Sequence, residues 1–188
     1  MRRSVTSLHR CIVTSAAKAA DSTIQGFNNL TIAIANRQRV KKINTQLLKQ
    51  IGLTLLAELE IENAQLGIHL IGAKEMARVN WQFLQHEGST DVITFDHVKV
   101  GTPRCGVRTA QRAVPTLHGE LFICVDDAIS QAKEFGSSWQ SEVVRYVVHG
   151  ILHLLGYDDL KPNLRRKMKR EENRLVQILS ARFALSKL

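Results

Sequence analysis

His149-Gly150-Ile151-Leu152-His153-Leu154-Leu155-Gly156-Tyr157-Asp158-Asp159 is the stretch from which the rest of the chain can be read. Its apolar spacing predicts the end of a helix over residues 140–155. His149 and His153 stand four apart, so one helical turn puts both imidazoles on the same face, close enough to share one ion. Gly156 suits the left-handed conformation that ends helices and turns the chain back. Asp159, six residues after His153, then arrives on the same side. Two imidazoles and a carboxylate, with one position open for water, is the ligand count of a catalytic zinc site rather than a closed structural one. Asp158 is the rival for the carboxylate role, because neighbouring side chains point in different directions and the two do not easily ligate together.

The spacing is similar to the H-E-x-x-H-x-x-G-x-x-H helix of zinc proteases. Gly150 stands where those enzymes carry their general base, which argues against ordinary peptide hydrolysis.

Outward from this helix the pattern alternates between strand and helix. Residues 30–35 read as a strand, 44–60 as a helix, 65–71 as a strand and 73–85 as a helix. Residues 90–95 and 120–125 read as two more strands, and 126–135, 140–155 and 164–183 as three helices. Between the last two strands, residues 98–117 form a long basic loop. The order β-α-β-α-β-β-α-α-α predicts an α+β fold: a small mixed four-stranded sheet packed with about five helices, one of them the metalloprotease-like zinc-site helix.

The chain has 188 residues, 44% hydrophobic and 23% charged, which suits one globular domain with its own core and excludes a mainly disordered chain. No stretch approaches the ~20 apolar residues of a membrane-spanning helix. Cys11, Cys105 and Cys124 form no CxxC pair, so neither a disulfide scaffold nor a thiolate zinc finger is expected, and a reducing compartment is the natural reading. The net charge of +9 is uneven: both ends are basic and the body, residues 46–160, is mildly acidic. Basic ends attract polyanions, above all nucleic acid; the bland alternative is a solvated Lys/Arg helix face. Residues 1–28 are basic and rich in Ser and Thr, with no apolar run after the arginines. They read as a disordered extension or an early start, with organellar import as the alternative, and the folded domain as residues 29–188.

Several separated segments carry a common resemblance. His149 to Asp158 fits H-G-x-L-H-L-x-G-Y-D-H. Asn80, Phe83 and Ser89-Thr90-Asp91-Val92-Ile93-Thr94-Phe95 fit N-x-x-Y-R…T-D-V-L-S-F. Gly119 to Cys124 with Gln131-Ala132 fits G-D-I-x-I-x…Q-A, and Met168 with Glu172 fits M-x-x-x-E. From about residue 30 to its end the chain resembles the YbeY family, bacterial and organellar endoribonucleases linked to rRNA maturation. The resemblance implies one zinc per chain on His149, His153 and Asp159, the last replacing the family's third histidine. It also implies catalytic roles for His149 and His153 and cleavage of single-stranded RNA in 16S rRNA 3′-end maturation. Small-subunit rRNA, ribosomal proteins or an assembly GTPase are the implied partners, and the bacterial cytoplasm the implied location. The family's arginine after the aromatic residue falls on Leu84, which removes one cation from the phosphate's surroundings.

Under that reading Arg104, Arg108 and Arg112 of the basic loop, with Arg165, Arg166 and Lys169 of the last helix, hold the RNA backbone. Asn80 is expected as a buried hydrogen-bonded residue, His118 on the surface, Trp81 and Trp139 in packing, and Cys124 in the core. Thr90 and Asp91 either cap a turn or lie near the site. Two alternatives remain: a non-catalytic, zinc-containing ribosome-assembly factor, which Leu84 keeps open, and a metal-dependent hydrolase of another class.

Overall fold

A computed structural model describes residues 29–97 and 116–188. The β-rich run LTIAIAN forms β1 (Leu30–Asn36). Asn44 then caps α1 (Thr45–Glu58), its side-chain oxygen accepting the Leu47 amide at 3.0 Å. β2 (Asn63–Ile71) alternates Leu66, Ile68 and Leu70 against Gln65, Gly67 and His69, so one face is apolar. α2 (Ala73–Leu84), β3 (Val92–Asp96), β4 (Thr116–Cys124), α3 (Val125–Phe135), α4 (Trp139–Leu154) and α5 (Pro162–Arg182) complete the order.

The sheet order is β1-β2-β4-β3, with β1, β2 and β4 parallel and β3 antiparallel to β4. This is the expected mixed four-stranded α+β fold. One face buries Ile32, Leu66, Ile68, Leu121 and Ile123 against α1, α4 and α5, where Leu48, Ile51, Val147, Ile151 and Leu179 meet them. Each fully buried aliphatic side chain contributes about 1.5–3 kcal/mol. The other face carries a smaller cluster, Ile71, Met76, Ile93 and Cys124, under α2.

Two expectations are corrected. β4 starts at Thr116 rather than Glu120, because Thr116 to Gly119 pair in register with Asn63 to Leu66 of β2. Trp81 is 54% exposed on α2, while Trp139 is only partly exposed and packs on the larger core. Asn80, in contrast, is buried and donates to Gly88 O at 3.0 Å, as expected. Residues 1–28, and Arg104, Arg108 and Arg112 of the basic loop, lie outside the described residues.

Gly150 explains how α4 reaches the sheet. A Cβ there would lie 2.6 Å from Leu121 Cδ2 and 3.3 Å from Thr94 Oγ1. Position 150 therefore faces the strands, and its lack of a side chain brings α4 onto β3 and β4. The protease's general base has no room at this point of the helix.

Candidate metal centre

α4 is capped by Ser138, whose hydroxyl accepts the Ser141 amide at 3.2 Å. It ends in a Schellman turn: Gly156 N donates to His153 O at 2.9 Å and Tyr157 N to Leu152 O at 3.0 Å. Gly156 has φ +87°, the left-handed conformation its sequence position implied. The chain then runs back to Lys161 and α5, and Arg165 Nε pins the return by donating to Asp159 O at 2.9 Å.

This turn brings the predicted donors together. One ligand atom from each of His149, His153 and Asp159 lies within 4.8 Å of the others, and these three could hold a metal ion. Asp158 is engaged elsewhere, its Oδ1 accepting the Leu160 amide at 2.9 Å.

The chemistry of the donor set fits a cation. His149 Nδ1 lies 3.0 Å from Glu172 Oε2, and His153 Nδ1 lies 3.1 Å from Tyr157 O. Both acceptors hold their ring proton on Nδ1, so each Nε2 carries a lone pair. The two Nε2 atoms face each other at 3.0 Å. Two lone pairs so placed repel unless a positive charge sits beside them. Burial, and then the charge of His149, lowers the His153 pKa, which disfavours a proton on that ring. Zinc–nitrogen bonds of 2.0–2.1 Å in a tetrahedral site ask for nitrogens about 3.3 Å apart, a few tenths of an ångström away from what is seen.

Glu172 of α5 anchors the arrangement. Its side chain is 4% exposed, and it accepts from Arg145 Nη1 at 2.5 Å and Lys169 Nζ at 2.8 Å besides His149. Burial alone would raise its pKa, but the hydrogen bonds from His149, Lys169 and Arg145 outweigh that and bring it down to about 2. It is an anion at neutral pH and fixes the His149 ring as carboxylates do behind metal-bound histidines.

A cavity of about 420 Å³ opens beside these groups, lined by Asp91, Gln131, Arg145, Tyr146, His149, Asp159, Arg165, Met168, Lys169 and Glu172. Of the basic residues expected to grip a polyanion, Arg165 and Lys169 line it, while Arg166 is exposed on α5 outside the lining set. Leu84 is 48% exposed at the end of α2 and is likewise not a lining residue. Asp91 both caps and lines: its Oδ1 accepts Val92 N at 2.9 Å and Thr90 Oγ1 at 3.1 Å.

His97 and His118 sit on the opposite sheet face, their ring centroids 5.1 Å apart, with His97 3.9 Å from Glu120. They do not reach the donor cluster. Arg145 and Tyr146 were not expected at the site, and Gln131 was singled out only within the Q-A segment. Arg145 was legible in part, since it stands four residues before His149 on the same helix.

Residues 27–180 match the family described as endoribonuclease YbeY. Curated relatives named endoribonuclease YbeY include one from Chlorobium phaeovibrioides, 34% identical over 58% of this chain and 65% of its own length. Another, from Kineococcus radiotolerans, is 36% identical over 64% of this chain and 67% of its own. A third, from Finegoldia magna, is 31% identical over 76% of this chain and 90% of its own. The Chlorobium alignment thus spans just under two thirds of that relative. The fold is similar to the solution structure of a Thermotoga maritima protein, with a TM-score of 0.54 and 23% identity, over 81% of this chain and 91% of the other.

Proposed function

The chain belongs to the YbeY endoribonuclease family, and from that premise we propose that it is a metal-dependent endoribonuclease cutting single-stranded RNA. The metal is zinc, one per chain, on His149, His153 and Asp159, and the natural substrate is the 3′ end of small-subunit rRNA, in the cytoplasm. The observation that carries this reading is the convergence of those three donors, two of which, His149 and Asp159, line a cavity also lined by Arg145, Arg165 and Lys169.

When bound, the ion supplies Lewis acidity toward a phosphoryl oxygen and toward an attacking water. The protein's own residues do the rest. Arg145 and Lys169 are held by Glu172 at the cavity wall, so their positions are set before substrate arrives. With Arg165 they offer cationic hydrogen-bond donors to phosphate, the role that Leu84 leaves open. Glu172 and Tyr157 O keep the two imidazoles oriented with Nε2 toward the site. Phosphates, rather than base edges, are the groups these cations hold, so binding depends on backbone charge.

A labelled single-stranded rRNA 3′-end fragment tests the reading, with wild type compared against His149→Ala/His153→Ala and each assayed for bound zinc. Wild type should carry one zinc per chain and cut, and the double variant should do neither. Equal cutting by both overturns the assignment of the site. A wild type that holds zinc without cutting overturns the nuclease in favour of an assembly factor.

A further inference from the structure

The outer face of α2 carries side chains that the fold does not use. Lys74, Arg78 and Trp81 follow one another at helical spacing, so they share one face, and all three are exposed. Met76 and Asn80, on the side turned away from that face, are buried. Trp81 is 54% exposed, and Leu84, one turn further on, is 48% exposed. Glu75, the one acid of this helix, is taken by Arg37, whose Nη2 lies 2.9 Å from Glu75 Oε1. Neither Lys74 nor Arg78 has a carboxylate partner among the described residues, and the Trp81 ring meets no other ring or cation there. Solvation is the ordinary fate of Lys and Arg; it is not that of an indole, which is highly buried on average.

This face adjoins the cavity. Asn80, the neighbour of Trp81, donates to Gly88 O at 3.0 Å and so ties the segment after α2 back onto the helix. Three residues beyond Gly88 the chain reaches Asp91, which lines the cavity, and three residues span at most about 10 Å. Two unpaired cations beside an open aromatic face match single-stranded nucleic acid, whose phosphates meet the cations while a base lies on the ring. A duplex keeps its base faces stacked inside and has none to offer Trp81. Stacking uses the face of a base and not its edge, so it adds grip without sequence readout.

We infer that the outer face of α2 is a second RNA contact, which holds the strand where it leaves the cavity: Trp81 stacks on a base, and Lys74 and Arg78 hold the flanking phosphates. This inference deepens the reading of the chain as an enzyme of single-stranded RNA and rests on it.

Two equilibrium measurements on the full chain test it without needing cleavage, with a single-stranded RNA dodecamer checked intact by gel afterwards. The first is tryptophan emission. The dodecamer should quench it in wild type, a duplex of the same sequence should not, and Trp81→Phe should lose the quenching while keeping most of the affinity. The second is anisotropy of the fluorescein-labelled dodecamer at several salt concentrations. Trp81→Ala should bind about tenfold more weakly, the value of one stacked base. Lys74→Ala/Arg78→Ala should lower the slope of log affinity against log salt by about 1.4, for two phosphates released. Should Trp81→Ala fail to fold, Trp81→Phe and the double variant decide. Quenching that survives in Trp81→Phe, undiminished affinity in a folded Trp81→Ala, or an unchanged salt slope in the double variant each overturns the inference and leaves the RNA reading of the cavity standing. A wild type that does not bind the dodecamer overturns that reading, and the inference with it.

Discussion

Glu172→Gln keeps the shape of a buried side chain and removes its charge. The wild-type carboxylate takes three donors, from His149, Arg145 and Lys169, while 4% exposed. A glutamine has one oxygen for them, and its NH2 then meets a donor. If the oxygen stays with Arg145 and Lys169, the NH2 faces His149 Nδ1 and drives the ring proton to Nε2, where the lone pair toward Asp159 is lost. The magnitude follows from the carboxyl's pKa, which stands at about 2 against an ordinary 4.5. At about 1.4 kcal/mol per pH unit of separation, the charged form contributes on the order of 3 kcal/mol to folding. Because the folded pKa is the lower one, that contribution is complete above pH 4.5 and is lost as the pH falls toward 2. Urea unfolding of the metal-stripped chain, wild type against Glu172→Gln, should therefore differ by about 3 kcal/mol at pH 7 and converge as the pH falls from 4.5 toward 2. Competition with a chromophoric chelator should show zinc held about 10–100-fold more weakly by the variant. Equal unfolding free energies at pH 7 together with equal zinc affinity would refute the account of Glu172 given above.

Two more substitutions separate the remaining claims. Asp159→Asn should weaken zinc binding in the same chelator assay, and Asp158→Asn should leave it near wild type; the reverse order would assign the carboxylate donor to Asp158. Gly150→Ala places a methyl 2.6 Å from the Leu121 Cδ2 atom in a fully buried layer. It should cost about 1–3 kcal/mol in urea unfolding, and an unchanged midpoint would refute the close approach of α4 to β4.

Local signals were legible in the sequence and long-range ones were not. The His149–His153 spacing, the helix-ending Gly156 and the offset of Asp159 are properties of an eleven-residue segment, and the structure gathers them as local geometry alone suggests. Asp159 and Asp158 could not be separated, because the choice depends on which one the Leu160 amide engages. Glu172 left a readable trace: it occupies the buried stripe Met168, Leu175, Val176 and Leu179 of α5, where an acid needs partners. Which partners it takes is a matter of how α4 and α5 pack, and Arg145 lies 27 residues away. The early start of β4 had the same cause. Thr116 to Gly119 carry little strand signal of their own, and their partner β2 draws them into the sheet.

The site and the sheet stand at opposite ends of the scale of chain separation. His149, His153 and Asp159 lie within eleven residues, so gathering them costs little closure entropy; the end of α4 and the Gly156 turn bring them together, and Glu172 and Arg165 of α5 then fix them. The ladder between β2 and β4 joins residues more than fifty positions apart. Helix termini of this kind form on the microsecond scale, and long-range parallel pairing is slow. Refolding followed by pulsed hydrogen exchange should then find the amides of Gly156 and Tyr157 protected before those of β4. In that order of events the donor cluster is assembled while the sheet beneath it is still incomplete, and the cavity, which borrows Asp91 from the start of β3, closes last.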